Sequence, residues 1–247
     1  ESVEISKLSL WLKTAQHGKP LQSLESHLRV GNSLIAEMNG GGDFSPRAFD
    51  WQGAFPEVFA SGGFDVVLGN PPYVRMERIK PIKPYLEKHY RVASDRADLY
   101  CYFYELGVNL LKPGGRLGYI SSSTFFKTGS GEPLRRFLLE QSQLRAVVDF
   151  GDLQVFEGVT TYPAIVVLEN SASPAAVIPA QAGMTGLLHY LNLKSMPEGG
   201  LAAAWAQQAQ TMPQARLGAG SWQLESDARG SLRNKLTQGY PTLKQTY

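Results

Sequence analysis

Cysteine is almost absent: the 247-residue chain carries one, Cys101. A lone thiol excludes an internal disulfide and fits a reducing, cytoplasmic setting. Histidine is scarce as well. His17, His27, His89 and His189 are scattered, no Cys or His falls at metal-ligand spacing, and no metal site is expected. Long apolar runs are missing, which argues against a membrane span, and "ESVEISKLSLWLK" lacks the layout of a signal peptide. Excess charge of one sign is missing too. With 24 Lys and Arg against 22 Asp and Glu, a polyanion partner would have to meet a local patch. Ser121-Ser122-Ser123 has no base partner in the sequence, which argues against a nucleophilic serine. There is no initiator methionine at Glu1 and no terminating signal after "YPTLKQTY", so the chain reads as a piece of a longer protein.

What is present describes an ordinary soluble globular chain, 43% hydrophobic and 19% charged. Ile5, Leu8 and Leu12 give residues 3–16 a helical apolar face. "SHLRVGNSL" (26–34) reads as a short strand running into a turn. Residues 39–53 read as a loop and 54–63 as a short helix stopped by glycines. Residues 64–69 read as a strand, and 74–93 as irregular. A helix capped by Ser94 or Asp95 follows, to about Leu111. Lys112-Pro113-Gly114-Gly115 reads as a turn, then 116–121 as a strand, 132–141 as a helix, and 144–151 and 162–169 as two strands. The last two are joined by a loop too short for a parallel crossover, so they should be antiparallel. The pattern predicts an α/β fold: an open, mostly parallel sheet ending on an antiparallel strand. Residues 170–186, rich in small residues and Pro, read as a linker or insertion. A strand at 187–193 and helices near 198–210 and 227–238 read as the start of a C-terminal region (187–247), distinct from the domain at 1–169.

The stretch "GGFDVVLGNPPYVRMERIKP" (62–81) carries the chemistry. A buried strand stops at Asn70-Pro71-Pro72-Tyr73, where two prolines cannot continue a central ladder. Ligands of open α/β sheets sit beyond such carboxyl ends. The Asn70 side-chain oxygen and the Pro71 carbonyl are two acceptors, and the Pro71-Pro72 pair fixes the direction of the second. Tyr73 offers a flat surface for a planar ring. Two convergent acceptors and a stacking ring match an NH2 group on a planar ring or amide. Accepting both N–H bonds draws that nitrogen toward tetrahedral geometry and frees its lone pair to attack a methyl sulfonium. No strong base is needed before attack, so the loop's lack of ionisable groups is consistent with chemistry set up by geometry and dipoles.

At these residues the chain resembles a known group. Asn70-Pro71-Pro72-Tyr73 is similar to the catalytic motif of amino-methylating, S-adenosylmethionine-dependent methyltransferases. "FDWQGAFPEVF…GGFDVVLGNPPYVR" resembles adenine-N6 DNA methyltransferases of restriction–modification and phage-defence systems, of the type IIG and BREX-like branch, over roughly residues 4–169. The resemblance implies a Rossmann-like fold, S-adenosylmethionine as cofactor and double-stranded DNA as partner. It also allows an endonuclease, fused or associated, outside this chain. Asn70 and Pro71 would bind the target amine, with Pro72 stiffening the loop. Tyr73 would stack on an extruded adenine, with Phe156, from "GDLQVFEGVTTYPAIVVLE", on its other face. Asn32 in "LRVGNSL" and Asp98 and Leu99 in "ADLYCYFYELGVNLLKPGGRLGYI" would join Asn70 on the cofactor side. The family's glycine-rich loop is expected before Glu1 with the N-terminal cofactor strands, and Gly40-Gly41-Gly42 is a poor substitute because no strand leads into it.

Residues 74–96 hold seven Lys and Arg against three Asp and Glu. Arg75, Arg78, Lys80 and Lys83 are therefore candidates for phosphate contact. Two other readings stand beside DNA methylation. One is a protein glutamine N5-methyltransferase, since an amide NH2 presents similar geometry. The other is a non-catalytic fragment that holds DNA or a partner subunit.

Overall fold

Val66, Val67 and Leu68 form the apolar centre of the first strand, and the computed structural model places β1 at Phe64–Gly69, the expected bounds. The strand is not buried as expected: it stands at the end of the sheet order with Val66 and Leu68 exposed, a position that also tolerates the prolines after it. The structure describes residues 2–15, 23–24, 26–36, 48–156, 161–171 and 186–238. The chain divides into two units, residues 1–60 and 61–247. Gly40-Gly41-Gly42 and most of the expected linker at 170–186 lie outside the described residues.

The first unit holds helices α1 (Ser2–Thr14), α2 (Trp51–Ala54) and α3 (Pro56–Ala60). Its buried residues include Leu34 and Ile35. Phe49, Trp51 and Phe55 cluster beside one another, and the Trp51 indole donates to the Ser33 carbonyl at 3.1 Å. The strand expected at 26–34 does not form. A single bridge joins Asn32 to Ala48; among the described residues the segment has no neighbouring ladder, and it leaves Val30 exposed.

The second unit is built on one six-stranded sheet, ordered β1-β2-β4-β3-β5-β6. The strands after β1 are β2 (Leu111–Ser122), β3 (Ser142–Asp149), β4 (Pro163–Asn170), β5 (Leu187–Asn192) and β6 (Gln210–Pro213). β1 is parallel to β2 and β3 to β5, while β4 runs antiparallel to both β2 and β3. The expected antiparallel β3–β4 pair is present, but β4 sits inside the sheet and not at its end, inserted between β2 and β3. With three of the five pairings antiparallel, the sheet is mixed, not mostly parallel as expected. The residues expected to open a separate C-terminal region instead add β5 and β6, itself antiparallel to β5, to this same sheet. The expected turn at 112–115 bulges from the ladder: pairing jumps from Phe64–Leu111 to Val66–Arg116, and Gly114 takes φ 76°.

Helices α4 (Met76–Ile79) and α5 (Lys83–His89) occupy the segment read as irregular. They are followed by α6 (Leu99–Leu110), α7 (Glu132–Gln141), α8 (Gly200–Gln208) and α9 (Asp227–Gln238). The N-cap of α6 is Asp98, three or four residues after the expected Asp95 or Ser94. Tyr100, Tyr104 and Val108 bury its inner face. It lies so close to β2 that a Cβ on Gly107 would stand 2.6 Å from the Tyr119 hydroxyl and 2.5 Å from a Leu117 methyl. On α7, Leu134, Phe137 and Leu138 recur at three- and four-residue spacing and are buried. Each such side chain contributes roughly 1.5–3 kcal/mol by leaving water.

The tyrosines make this core sensitive to alkali. Burial pushes the phenols of Tyr102 and Tyr119 up to about 12 and raises those of Tyr90, Tyr100 and Tyr104 as well. Because the folded values lie above the ordinary phenol value, the stability tied to these groups is whole below about pH 10 and is lost as pH rises toward the folded values. Of the eleven tyrosines, these five should therefore ionise only as far-UV circular dichroism is lost. Phenolate absorbance complete for all eleven before any loss of dichroism would contradict this burial.

Candidate active site

β1 ends at Gly69, β2 at Ser122, β3 at Asp149 and β5 at Asn192. β4 starts at this same edge, since Pro163 lies opposite Ser122. The carboxyl edge thus gathers the segments after β1, β2 and β3, where ligands of open α/β sheets bind.

Gly69 closes β1 against the Tyr119 ring, where a Cβ would stand 2.9 Å from a ring carbon. Asn70 is exposed, Pro71 buried, Pro72 exposed and Tyr73 half-buried. The turn tightens where the Val74 N–H donates to the Pro72 carbonyl at 2.9 Å, and the Leu99 N–H donates to the Val74 carbonyl at 3.0 Å. That second bond ties the loop to the first turn of α6 and brings Asp98 and Leu99 to it. The Tyr73 hydroxyl is buried with no hydrogen-bond partner among the described residues. Burial raises its pKa. Leaving such a group unpaired costs about 1–3 kcal/mol, so this spot favours a polar partner.

Phe156 arrives from the segment after β3. The Gly151 N–H donates to the Asp149 carboxylate at 2.9 Å, with Gly151 at φ 59°, and the Phe150 N–H donates to the Pro163 carbonyl at 3.1 Å. The turn delivers Phe156 edge-to-face against Tyr73, with ring centroids 6.1 Å apart at 68°. Two aromatic residues 83 positions apart in sequence therefore meet beside the proline loop.

The end of β2 supplies hydroxyl groups that the sequence reading considered only as nucleophiles. Ser122 Oγ and Thr124 Oγ1 are 2.9 Å apart, and Thr124 Oγ1 is 3.0 Å from the Tyr100 hydroxyl. Ser121 Oγ is 2.8 Å from the Tyr104 hydroxyl. Among the described residues no base joins these pairs. They form a polar wall next to α6, and their place at a strand's carboxyl end was the signal that could have marked them.

Among the expected cofactor residues, Asn70, Asp98 and Leu99 share this edge. Their acceptors and the short reach from Leu99 to the loop suit a ligand with amine and hydroxyl donors. Asn32 lies in the other unit, and its side-chain oxygen already accepts the Leu34 N–H at 3.2 Å. Among the expected phosphate contacts, Arg75, Arg78 and Lys80 are exposed and form no ion pair among the described residues. Lys83 differs. It is half-buried, pairs with Glu87 at 3.3 Å and Asp95 at 3.8 Å, and donates to the Asp95 carbonyl. Arg91 is committed as well, to Glu140 and the Phe137 ring. Among the described residues no group of three or more His, Cys, Asp or Glu could hold a metal ion, and no helix is long and apolar enough to cross a membrane.

A family model described as Eco57I restriction-modification methylase matches residues 1–156. The type II methyltransferase M.PaeR7I of Pseudomonas aeruginosa is 32% identical over 201 residues, covering 78% of this chain and 34% of that protein. The type II restriction enzyme and methyltransferase RM.Eco57I of Escherichia coli is 35% identical over 161 residues, covering 61% of this chain and 15% of that protein. The chain thus spans about a third or less of the length of these relatives. A solved structure of the type I restriction-modification system methyltransferase subunit from Streptococcus thermophilus aligns at a TM-score of 0.45 and 13% identity, covering 62% of this chain and 35% of that one.

Proposed function

We propose, for a chain that belongs to the Eco57I restriction-modification methylase family, that it carries the target-base half of a DNA methyltransferase acting on adenine N6. The observation that carries this reading is the Asn70-Pro71-Pro72-Tyr73 loop beyond β1, with Phe156 facing Tyr73.

In this reading the Asn70 side-chain oxygen and the Pro71 carbonyl accept the two N–H bonds of the adenine amine. Pro71 is held because it is buried, and its loop is anchored at Val74 by the Leu99 N–H. Tyr73 and Phe156 take the two faces of the extruded base. Stacking at roughly 1–3 kcal/mol per ring offsets an extrusion cost of about a few kcal/mol. Ring planes that hold a base between them stand about 7 Å apart, twice the ~3.4 Å stacking step of DNA. At 6.1 Å and 68° the pair is closed, so Phe156 must turn to admit the base. Asn70, Asp98 and Leu99 would hold S-adenosylmethionine, which when bound supplies the electrophilic methyl group. Arg75, Arg78 and Lys80, without ion pairs among the described residues, would meet phosphates. Residues 187–247 would lead into target recognition, and an endonuclease function would reside elsewhere in the polypeptide or in a partner.

The test gives the full-length polypeptide a labelled methyl donor together with duplex DNA and a mixture of proteins. Label on DNA is the expected result. Label on protein glutamine instead would favour the amide-methylating alternative and sink this reading.

A further inference from the structure

A cleft of about 930 Å³ opens beyond the carboxyl end of β5. Its polar lining includes Asn192, Lys194, Gln207, Gln208, Gln210 and Arg229. Lys194 and Arg229 are exposed and form no ion pair among the described residues. One acid, Glu225, also reaches the cleft, which leaves the two cations in excess. Part of the frame is fixed: the Asn192 amide donates to the Leu224 carbonyl at 2.8 Å, and the Tyr190 hydroxyl donates to the Gln210 side-chain oxygen at 2.8 Å.

The cleft belongs to the same edge as the candidate active site. Asn192 is in register with Asp149, the last residue of β3, and the chain beyond β3 carries Phe156. The two walls share one apolar cluster. Leu153 and Val155 pack against Val148, Phe150, Leu191 and Ala204, and so do Leu193, Leu201 and Trp205. The Phe156 segment and the cleft are therefore built on a common support. In the sheet order, β5 stands four strand spacings from β1. At ~4.8 Å per strand that is about 19 Å, or about five to six steps of duplex at ~3.4 Å each. Lys, Arg, Asn, Gln and Ser are the side chains that contact the sugar–phosphate backbone.

We infer that this cleft is a second DNA-contact site, which grips the sugar–phosphate backbone about five to six nucleotide steps from the extruded base. The inference rests on the DNA-methylating reading of the neighbouring loop. The cleft fixes how far along the duplex the protein holds on, and Lys194 and Arg229 each neutralise one phosphate. Gln207 and Gln208 at the end of α8 add neutral hydrogen bonds.

The experiment measures binding of a fluorescent mixed-sequence duplex to the full-length polypeptide across salt concentrations. Methyl transfer at saturating DNA is measured in parallel. Each lost phosphate contact lowers the slope of log affinity against log salt by about 0.9. Lys194→Ala with Arg229→Ala should therefore flatten the slope by about two. The affinity of this variant should fall about tenfold less than wild type between about 50 and 200 mM salt. Gln207→Glu with Gln208→Glu places carboxylates in the cleft and should weaken binding too. Lys112→Ala with Arg116→Ala, at the opposite end of β2, should leave the slope unchanged. An unaltered slope and affinity in both cleft variants, with wild-type methylation of DNA intact, overturns the inference and spares the DNA-methylating reading. A wild-type polypeptide that neither binds nor methylates DNA overturns both.

Discussion

Asn70→Ala is expected to lower methyl transfer to DNA by about 10²- to 10³-fold, the loss that follows removal of one preorganised polar group from a reacting centre. The side chain is exposed at the end of β1, so its removal should leave stability within about 0.5 kcal/mol. The loss should fall on kcat, because the bond to the amine matters most as the nitrogen becomes tetrahedral, while phosphate contacts and ring stacking still hold the DNA. Single-turnover methylation at saturating DNA, with a DNA-affinity measurement beside it, separates the two. A variant that binds less tightly but methylates at the wild-type rate would assign Asn70 to binding alone.

The second large effect belongs to Arg135, on α7 and only 2% exposed. Its guanidinium forms no ion pair with a carboxylate among the described residues. It donates to the carbonyls of Ala219 at 2.8 Å, Phe125 at 2.5 Å and Thr128 at 2.8 Å. Around it, the Trp222 N–H donates to the Phe126 carbonyl, Ser221 Oγ donates to the Lys127 carbonyl, and Trp222 stacks on Phe126. Arg135 thus holds the segment after β2, which begins at the Ser122–Thr124 wall, to the chain near Trp222. Arg135→Met keeps much of the volume and leaves three carbonyls without that donor. The Phe125 carbonyl is buried and would cost about 1–3 kcal/mol when left unsatisfied. The Ala219 and Thr128 bonds are part-buried, and the Thr128 carbonyl still accepts the Gly131 N–H, so they add less. The expected loss is about 2–4 kcal/mol, a large share of the ~5–15 kcal/mol typical of a folded chain. Arg136→Met is the contrast. Its exposed pair with Glu132, four residues back, is of a kind that contributes about 0.3–0.5 kcal/mol. Urea unfolding of the two variants checks the difference, and equal midpoints would contradict this role for Arg135.

Elements whose cause lies within their own residues were legible in the sequence. β1, α7 and α9 stand where periodicity and flanking glycine, proline or polar residues place them. Elements that depend on a partner were not. β6 is four residues long and lacks alternation; it forms because β5 offers an edge. The segment 26–34 has strand-like composition but, among the described residues, no ladder to join. α6 begins at Leu99 because the Leu99 N–H is taken by the Val74 carbonyl, a contact that no local cap reveals. The same holds at the site. The proline loop could be read directly from β1 and its abrupt end. Phe156 came from resemblance, because nothing local links it to Tyr73. Lys83 looked like its cationic neighbours until Glu87 and Asp95 were seen to claim it.

The most direct test of the central claim is the identity of the methylated nucleoside. Duplex DNA is incubated with the full-length polypeptide and S-adenosylmethionine, digested to nucleosides and analysed by mass spectrometry, with the Asn70→Ala variant in parallel. The account predicts N6-methyladenine from the wild type and its near-complete loss in the variant. A methylated cytosine as the product, or undiminished N6-methyladenine from the variant, would contradict it.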